Sequence, residues 1–472
     1  MSDGVITLLD PRLGWALLCL FGLLWVFLGW YWGRRASSVD DFLLAGRKVG
    51  LALGTATAMA TWVTSNTVML APVFALEKGL WGMVAYSTAS FGLFLFAPLS
   101  RRIRTLMPAG HTSGDFMRLR YGKWAWYLFL VISMVYSVAW LVSMGTAGGK
   151  LMETLAGIPY FHGVTAILLV CVIYTLFGGM YAVIGTDFIQ SAIILAGVLL
   201  VGSLVVIRTD LRALYDTMAV EQPSLINALM PVALLSLFNN MFFGFGEVFH
   251  NNVWWSRAHA MRAEVAPRAF FLSGLLWFPI PIAAGFIALS ANSLGVNVID
   301  PNTVGPLVAG QVLGKVGAVL VFVVVFCSLA SSIDSLLAAT SDLLLQDFGK
   351  KILGISSEPS RFRLYSKFII ILLGFLTWVL CALEMDLLQI LFLSGPLVAS
   401  AIWPIIAGLY WNRAHWLAAV LAMLLGSALG LWAYFQIGWY TASLISAVVS
   451  MAVIFVSVPF CRQTFDWKKL HE

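Results

Sequence analysis

Apolar runs follow one another along the whole chain, each about the 20 residues needed to cross the hydrocarbon core of a bilayer, with short polar joints between them. The pattern predicts an all-α membrane protein of 13 transmembrane helices. They fall near 13–33, 49–76, 80–100, 124–150, 160–178, 183–207, 228–250, 268–292, 308–346, 365–384, 387–411, 414–436 and 439–461. No polar stretch is long enough to fold as a soluble domain, so residues 1–472 read as a single membrane domain. The ninth run is too long for one straight perpendicular crossing and is expected to tilt or to continue as helix beyond the bilayer. The first run follows Asp10 and Arg12 and precedes Gly33-Arg34-Arg35, the reverse of a cleaved leader, so it reads as a retained helix.

Three runs are interrupted by polar residues at mid-span, where hydrocarbon offers no hydrogen bonds. In the ninth run the stretch is Ser328-Leu329-Ala330-Ser331-Ser332-Ile333-Asp334-Ser335. Its oxygen-bearing side chains recur at i, i+3, i+4 and i+7, so they share a helix face and suggest an oxygen cage for a hard cation such as Na+. In the second run, Ala60-Thr61-Trp62-Val63-Thr64-Ser65-Asn66-Thr67 is expected to unwind and expose carbonyls and hydroxyls. A Ser/Thr-mediated helix contact is the plainer reading there, and no Gly or Pro marks a break.

In the seventh run Gly244 and Gly246 flank Phe245 and precede Glu247, a candidate break with an intramembrane carboxylate beside it; His250 reads as interfacial. Between the fifth and sixth runs, Gly178-Gly179 permits a tight turn. Thr186, Asp187 and Gln190 follow at a helix start, where a carboxylate is favoured by the helix dipole or serves as an ordinary cap.

Composition agrees with the pattern: 61% of residues are hydrophobic and 11% charged, against about 25% charged in a soluble chain. The net charge of +6 could suggest nucleic acid, but its distribution argues otherwise. Most of the 28 Lys and Arg lie in alternate joints, from Arg34 and Arg35 through Arg101, Arg102, Arg104 and Arg257 to Arg462, Lys468 and Lys469. That is the positive-inside arrangement, with the N-terminus outside and the C-terminus in the cytoplasm. The expected partner is the lipid bilayer, not nucleic acid. Five scattered cysteines show neither zinc nor disulfide spacing. No nucleophile elbow or Ser-His-Asp arrangement suggests an enzyme.

Together these stretches resemble the solute:sodium symporter family. The resemblance rests on Gly178-Gly179-x-x-Ala182-Val183-x-x-Thr186-Asp187-x-x-Gln190, on the Ser331-Ser332 helix running into Asp347, and on Gly46-Arg47-Lys48 before the second run. It covers nearly the whole chain. It implies a five-plus-five inverted-repeat core of leucine-transporter type, with a first repeat at 49–207 and a second at 228–411. One extra helix (13–33) precedes the core and two peripheral helices (414–461) follow it. The breaks at Ala60–Thr67 and Gly244–Glu247 would then face each other at mid-membrane.

The resemblance further implies a main Na+ site built from the carbonyls of Ala60, Val63 and Ser328 and the hydroxyls of Ser331 and Ser332. Some members carry a second Na+ site, whose positions here are Asp187, Asp334 and Ser335. An acid replaces a serine at Asp334, so either a second Na+ is bound or one of the two acids carries a proton. Substrate positions would be Trp62, Thr64, Thr67, Phe245, Glu247 and Gln389. Leu391–Pro404, the Phe245–Phe249 stretch followed by Trp255, and Gly274–Pro281 look like the urea-transporting branch. Glu247 beside the substrate would favour a nitrogen-bearing solute: urea, an amide or an amine.

The implied activity is Na+-coupled solute uptake by alternating access, in a bacterial inner membrane and as a monomer. Alternatives are another solute class (amino acid, monocarboxylate or sugar), a facilitator, or a transporter-like sensor. Against the sensor, about a dozen residues follow the last run, where a small output domain needs roughly 50.

Overall fold

Where the chain must cross hydrocarbon, each backbone N–H and C=O needs an internal partner, and helices supply one within the segment. The computed structural model describes every residue except 1–7, 37, 228, 292–293, 297–299, 356–357, 462–463 and 472, so Arg462 lies outside it. The helices run in order α1 (Pro11–Gly33), α2 (Val39–Leu44), α3 (Leu51–Trp62), α4 (Ser65–Ala85), α5 (Phe91–Leu106) and α6 (Ser113–Tyr121). Then come α7 (Lys123–Ala156), α8 (Tyr160–Arg208), α9 (Leu211–Glu221), α10 (Pro231–His250), α11 (Asn252–Ala260), α12 (Ala266–Trp277) and α13 (Pro279–Leu289). The last six are α14 (Val304–Leu343), α15 (Pro359–Cys381), α16 (Leu387–Ser400), α17 (Ile402–Tyr410), α18 (Trp416–Gln436) and α19 (Trp439–Ser457).

Among the described residues, 12 stretches are long and apolar enough to cross a membrane. This is a multi-pass membrane protein with an all-helical fold. One stretch, Ser65–Leu106, is 42 residues long. It does not run straight: Gly79 has φ 63° and ψ −139°, and a Cβ placed on Gly82 would lie 1.8 Å from the carbonyl oxygen of Phe74. In a continuous helix those residues would be about 12 Å apart, so the chain doubles back at Gly79. The predicted joint between the second and third runs lies there.

The same device recurs in α14, which holds the ninth run. It turns at Gly314 (φ 64°, ψ −153°), bringing Gly317 against the carbonyl of Ala309. The straight part begins beyond that turn. It ends in a π-helical turn, Leu344–Lys350, that carries Asp347. Asp347 accepts hydrogen bonds from Thr112 Oγ1 (2.6 Å), Trp126 Nε1 (3.0 Å) and Lys351 Nζ (2.8 Å), which tie the end of α14 to α6 and α7. The expected turn at Gly178-Gly179 is present within α8, where Gly179 has φ 53°.

The core is the bundle of α3, α7, α8 and α14, whose facing sides are almost fully buried. α1 lies on α8 through Gly22 and Gly29, against Val170 and Tyr174, and Gly14 meets Ala156 at the end of α7; small residues allow close approach between membrane helices. α18 and α19 pack as a pair against α16. The only extended pairing among the described residues is a bridge between Val49 and Met261. Val49 N donates to Ala260 O (3.1 Å) and Arg262 N to Val49 O (3.1 Å), so the start of α3 is fastened to the end of α11.

Candidate ion and solute site

The second run breaks where its polar residues predict. α3 ends at Trp62, Val63 leaves the helix with ψ 85°, and Thr64 caps α4. Thr64 Oγ1 accepts from Thr67 N and Thr67 Oγ1 from Thr64 N, both at 3.3 Å, a reciprocal capping box. A helix end leaves carbonyls without intrahelical donors. Three consecutive ones are taken up here by side chains of other helices. Ala60 O accepts from Ser331 Oγ (3.0 Å), Thr61 O from Ser332 Oγ (3.2 Å) and Trp62 O from Trp277 Nε1 (2.8 Å).

Ser331 Oγ also reaches Ser328 O at 3.1 Å. The hydroxyl face of α14 and the frayed end of α3 thus meet in one cluster of neutral oxygens, holding Ala60, Ser328, Ser331 and Ser332 of the expected main ion set. Val63 is the residue at the break itself. Carbonyl and hydroxyl oxygens of this kind are the ligand type a hard cation takes.

Beside the break lies a narrow cavity with about 20 Å³ open to the centre of a water-sized sphere. It is lined by Trp62, Thr64, Asn66, Thr67, Tyr86, Ala89, Trp140, Asn240, Phe243, Trp277 and Leu391. Of the expected substrate residues, Trp62, Thr64 and Thr67 are here. Trp62 packs against Trp140, Trp254 and Trp277 with centroid separations of 6.0, 5.2 and 5.7 Å. Trp62 Nε1, Trp140 Nε1 and Asn66 Oδ1 are buried and have no hydrogen-bond partner among the described residues. Unmade hydrogen bonds of this kind cost about 1–3 kcal/mol each, and all three belong to residues of the cavity lining.

Three expected substrate residues lie elsewhere. Gln389 is exposed in the first turn of α16, where its backbone N–H is capped by Asp386. Phe245 stacks on Phe249 at 6.0 Å and packs edge-on against Phe242. Glu247 is buried but faces its own turn: its carboxylate accepts from Asn251 Nδ2 (3.1 Å) and Trp254 Nε1 (2.9 Å). Through Trp254 it braces Trp62, one residue removed from the cavity.

The expected break at Gly244–Glu247 is also corrected, since α10 is helical through it. Those glycines serve close packing. A Cβ on Gly244 would lie 2.5 Å from the carbonyl oxygen of Ala89, and one on Gly246 2.6 Å from the backbone N of Ala399. The break comes one turn later, at Asn251, whose Oδ1 caps Val253 N at 3.0 Å. His250 is fully buried rather than interfacial, with its Nδ1 2.7 Å from Gly246 O.

This second break turns α11 inward and brings with it a residue that charge patterning had placed in an inner joint. Arg257 is 1% exposed. Its Nη2 donates to Asp187 Oδ2 (3.2 Å), Thr61 Oγ1 (2.6 Å) and Ser335 Oγ (2.7 Å), and its Nε to Thr57 Oγ1 (3.1 Å). Thr57 Oγ1 in turn donates to Asp187 Oδ2 at 2.5 Å. Asp187 and Ser335, two of the three residues expected at a second ion site, therefore converge, but on a guanidinium. The available signal was the pair Thr57 and Thr61, four apart on one face of α3 and opposite an acid. Periodicity alone could not say which cation they would face.

Solved structures share this architecture. A substrate-bound, outward-open Na+-coupled sialic acid symporter superposes with a TM-score of 0.79, at 18% identity over 96% of this chain and 98% of that one. MhsT in complex with L-phenylalanine superposes at 0.56, with 13% identity over 87% and 99%. The fold is the broken-helix bundle of leucine-transporter type. The sodium:solute symporter family model matches residues 42–426, and the chain belongs to that family.

Among its relatives are the urea active transporter of Saccharomyces cerevisiae (23% identical, covering 93% of this chain and 67% of that protein) and the urea-proton symporter DUR3 of Oryza sativa subsp. japonica (25%, 89% and 65%). Another is the sodium/proline symporter 2 of Staphylococcus saprophyticus subsp. saprophyticus (23%, 87% and 84%). The chain spans about two thirds of the length of those two urea transporters.

Proposed function

We propose that this chain couples inward Na+ movement to uptake of a small, neutral, planar nitrogen-bearing solute such as urea, by alternating access. The observation that carries the coupling is the shared helix break. Ala60 and Thr61 carbonyls bond the hydroxyls of Ser331 and Ser332, and Trp62, Thr64 and Thr67 line the cavity within the next few residues. An ion bound at Ala60, Val63, Ser328, Ser331 and Ser332 would fix the frayed end of α3 and with it one wall of the cavity. Each ligand then pre-organises the site of the other, which is a coupling free energy and is reciprocal.

The solute class follows from the lining. Aromatic faces suit a flat molecule, and among the described residues none that lines the cavity is charged. The indole N–H groups of Trp62 and Trp140 can donate to a carbonyl oxygen, and Asn66 Oδ1 can accept an amide N–H. Because the Glu247 carboxylate is engaged by Asn251 and Trp254, a cationic amine would lack its counter-charge at the cavity. Neutral ureas and amides are preferred over amines. Two relatives named as urea transporters support the same class. The working unit is the monomer in a bacterial inner membrane, with the N-terminus outside.

Uptake of radiolabelled urea into proteoliposomes tests this. An inward Na+ gradient should drive accumulation that choline does not. A proton gradient is the needed control, since the rice relative is named a urea-proton symporter. Trp62→Phe, which keeps a ring and removes the N–H, should raise the half-saturating urea concentration about tenfold, the value of roughly 1.4 kcal/mol. Glu247→Gln should leave solute preference unchanged. Equal accumulation in Na+, choline and proton-gradient conditions would remove the proposal.

A further inference from the structure

Three charged side chains are buried together outside the solute cavity: Asp187, Asp334 and Arg257, none more than 1% exposed. A carboxylate withdrawn from water needs a cation or a dense set of donors. The oxygens around this cluster, from Asp187, Thr57, Thr61 and Ser335, are of the kind that ligate an alkali cation. Each of them is instead held by Arg257, through Nη2 at 3.2 Å to Asp187, 2.6 Å to Thr61 and 2.7 Å to Ser335, and through Nε at 3.1 Å to Thr57. A guanidinium and a metal ion cannot occupy that space together. Arg257 is held from its own side as well, Nη1 donating to Val253 O at 3.2 Å.

We propose that Arg257 is a built-in cation that fills the place of a second Na+, so that the carrier binds one Na+ per chain. The inference rests on the Na+ reading above and sets its stoichiometry. The third member of the cluster is Asp334. Neither of its carboxylate oxygens makes a hydrogen bond of good geometry among the described residues. It lies three residues beyond Ser331 on the same helix face. With no second ion, the proton expected on one of the two acids falls to Asp334, which leaves Arg257 and Asp187 balanced one to one. The fixed cation and the mobile one therefore sit on either side of Thr61, whose hydroxyl meets Arg257 and whose carbonyl meets Ser332.

Binding of 22Na+ to purified protein tests the stoichiometry without any solute. Wild type should bind one ion per chain with no cooperativity. Ser331→Ala with Ser332→Ala should weaken that binding at least tenfold. Arg257→Lys, which keeps the charge, should still bind one. Arg257→Ala should bind a second ion, with a Hill coefficient rising toward two, and should be more heat-stable in Na+ than in choline. Should Arg257→Ala fail to fold, wild type and Arg257→Lys still decide.

Two ions on wild type would overturn this proposal and leave Na+ coupling standing, as would a folded Arg257→Ala protein that binds only one. No 22Na+ binding by wild type would overturn Na+ coupling and this proposal with it.

Discussion

Two helices in this molecule are broken at the same kind of place and by the same chemistry, yet only one break could be located beforehand. Between α3 and α4 the chain opens at Val63, and Thr64 caps the second half with Thr67. Between α10 and α11 it opens at Asn251, which caps Val253 and donates to Glu247. Neither break uses glycine. The glycines that looked like a hinge, Gly244 and Gly246, are inside continuous helix because neighbouring backbones press against them. A break in a buried helix is set by what receives the freed polar groups, more than by backbone permissiveness. The two breaks also do different work. The first presents carbonyls to the hydroxyls of α14 and walls to the cavity, and the second swings a charge, Arg257, into the core.

The largest effect should come from removing what the second break delivers its charge to. Asp187→Ala leaves Arg257 buried without its counter-ion and should cost about 3–5 kcal/mol, read as a lowered unfolding temperature in detergent. An unchanged temperature would mean that Arg257 is not paired there. Next, Gly246→Ala separates packing from hinging. If the glycine is there for close approach, a methyl directed at the Ala399 backbone should destabilise by about 1–3 kcal/mol. A hinge would instead change transport rate with stability intact.

The caps themselves give a smaller contrast. Thr64→Ala should cost about 1 kcal/mol, an ordinary cap loss. Asn251→Ala should cost more, since it also withdraws a donor from the buried Glu247 carboxyl, where leaving a polar group unpaired costs about 1–3 kcal/mol. Equal costs would show that Glu247 does not depend on Asn251.

The smallest expected effect is a pH response of the polar joint between α5 and α6, away from both breaks. Burial, with Arg47 nearby, holds His111 below its ordinary value of 6.5. The unfolded chain therefore binds that proton first, and stability should decline as pH falls below about 6.5. For Asp115 burial pushes upward but the Lys351 ammonium outweighs it, so the carboxyl titrates below its usual 3.8. Its stabilisation is present above that value and is lost as pH falls through the lowered one. Unfolding temperature against pH should fall in two legs on acidification, and His111→Asn should erase the upper leg.

Apolar run length and composition determined by themselves that this is a multi-pass helical membrane protein, because hydrocarbon leaves the backbone few other choices. Side-chain spacing alone marked the Ser328–Ser335 face and the Ala60–Thr67 break, since polar groups at membrane depth must find partners nearby. The rest depended on neighbours distant in sequence. Whether Glu247 faced a solute or its own turn was decided by Trp254, and the role of Gly246 by the Ala399 backbone. Whether Asp187 met a metal ion or a guanidinium was decided by the direction α11 takes after Asn251. Spacing along a helix fixes which face a residue occupies, whereas the packing of separate segments fixes what that face meets, and for buried charges the second choice sets the chemistry.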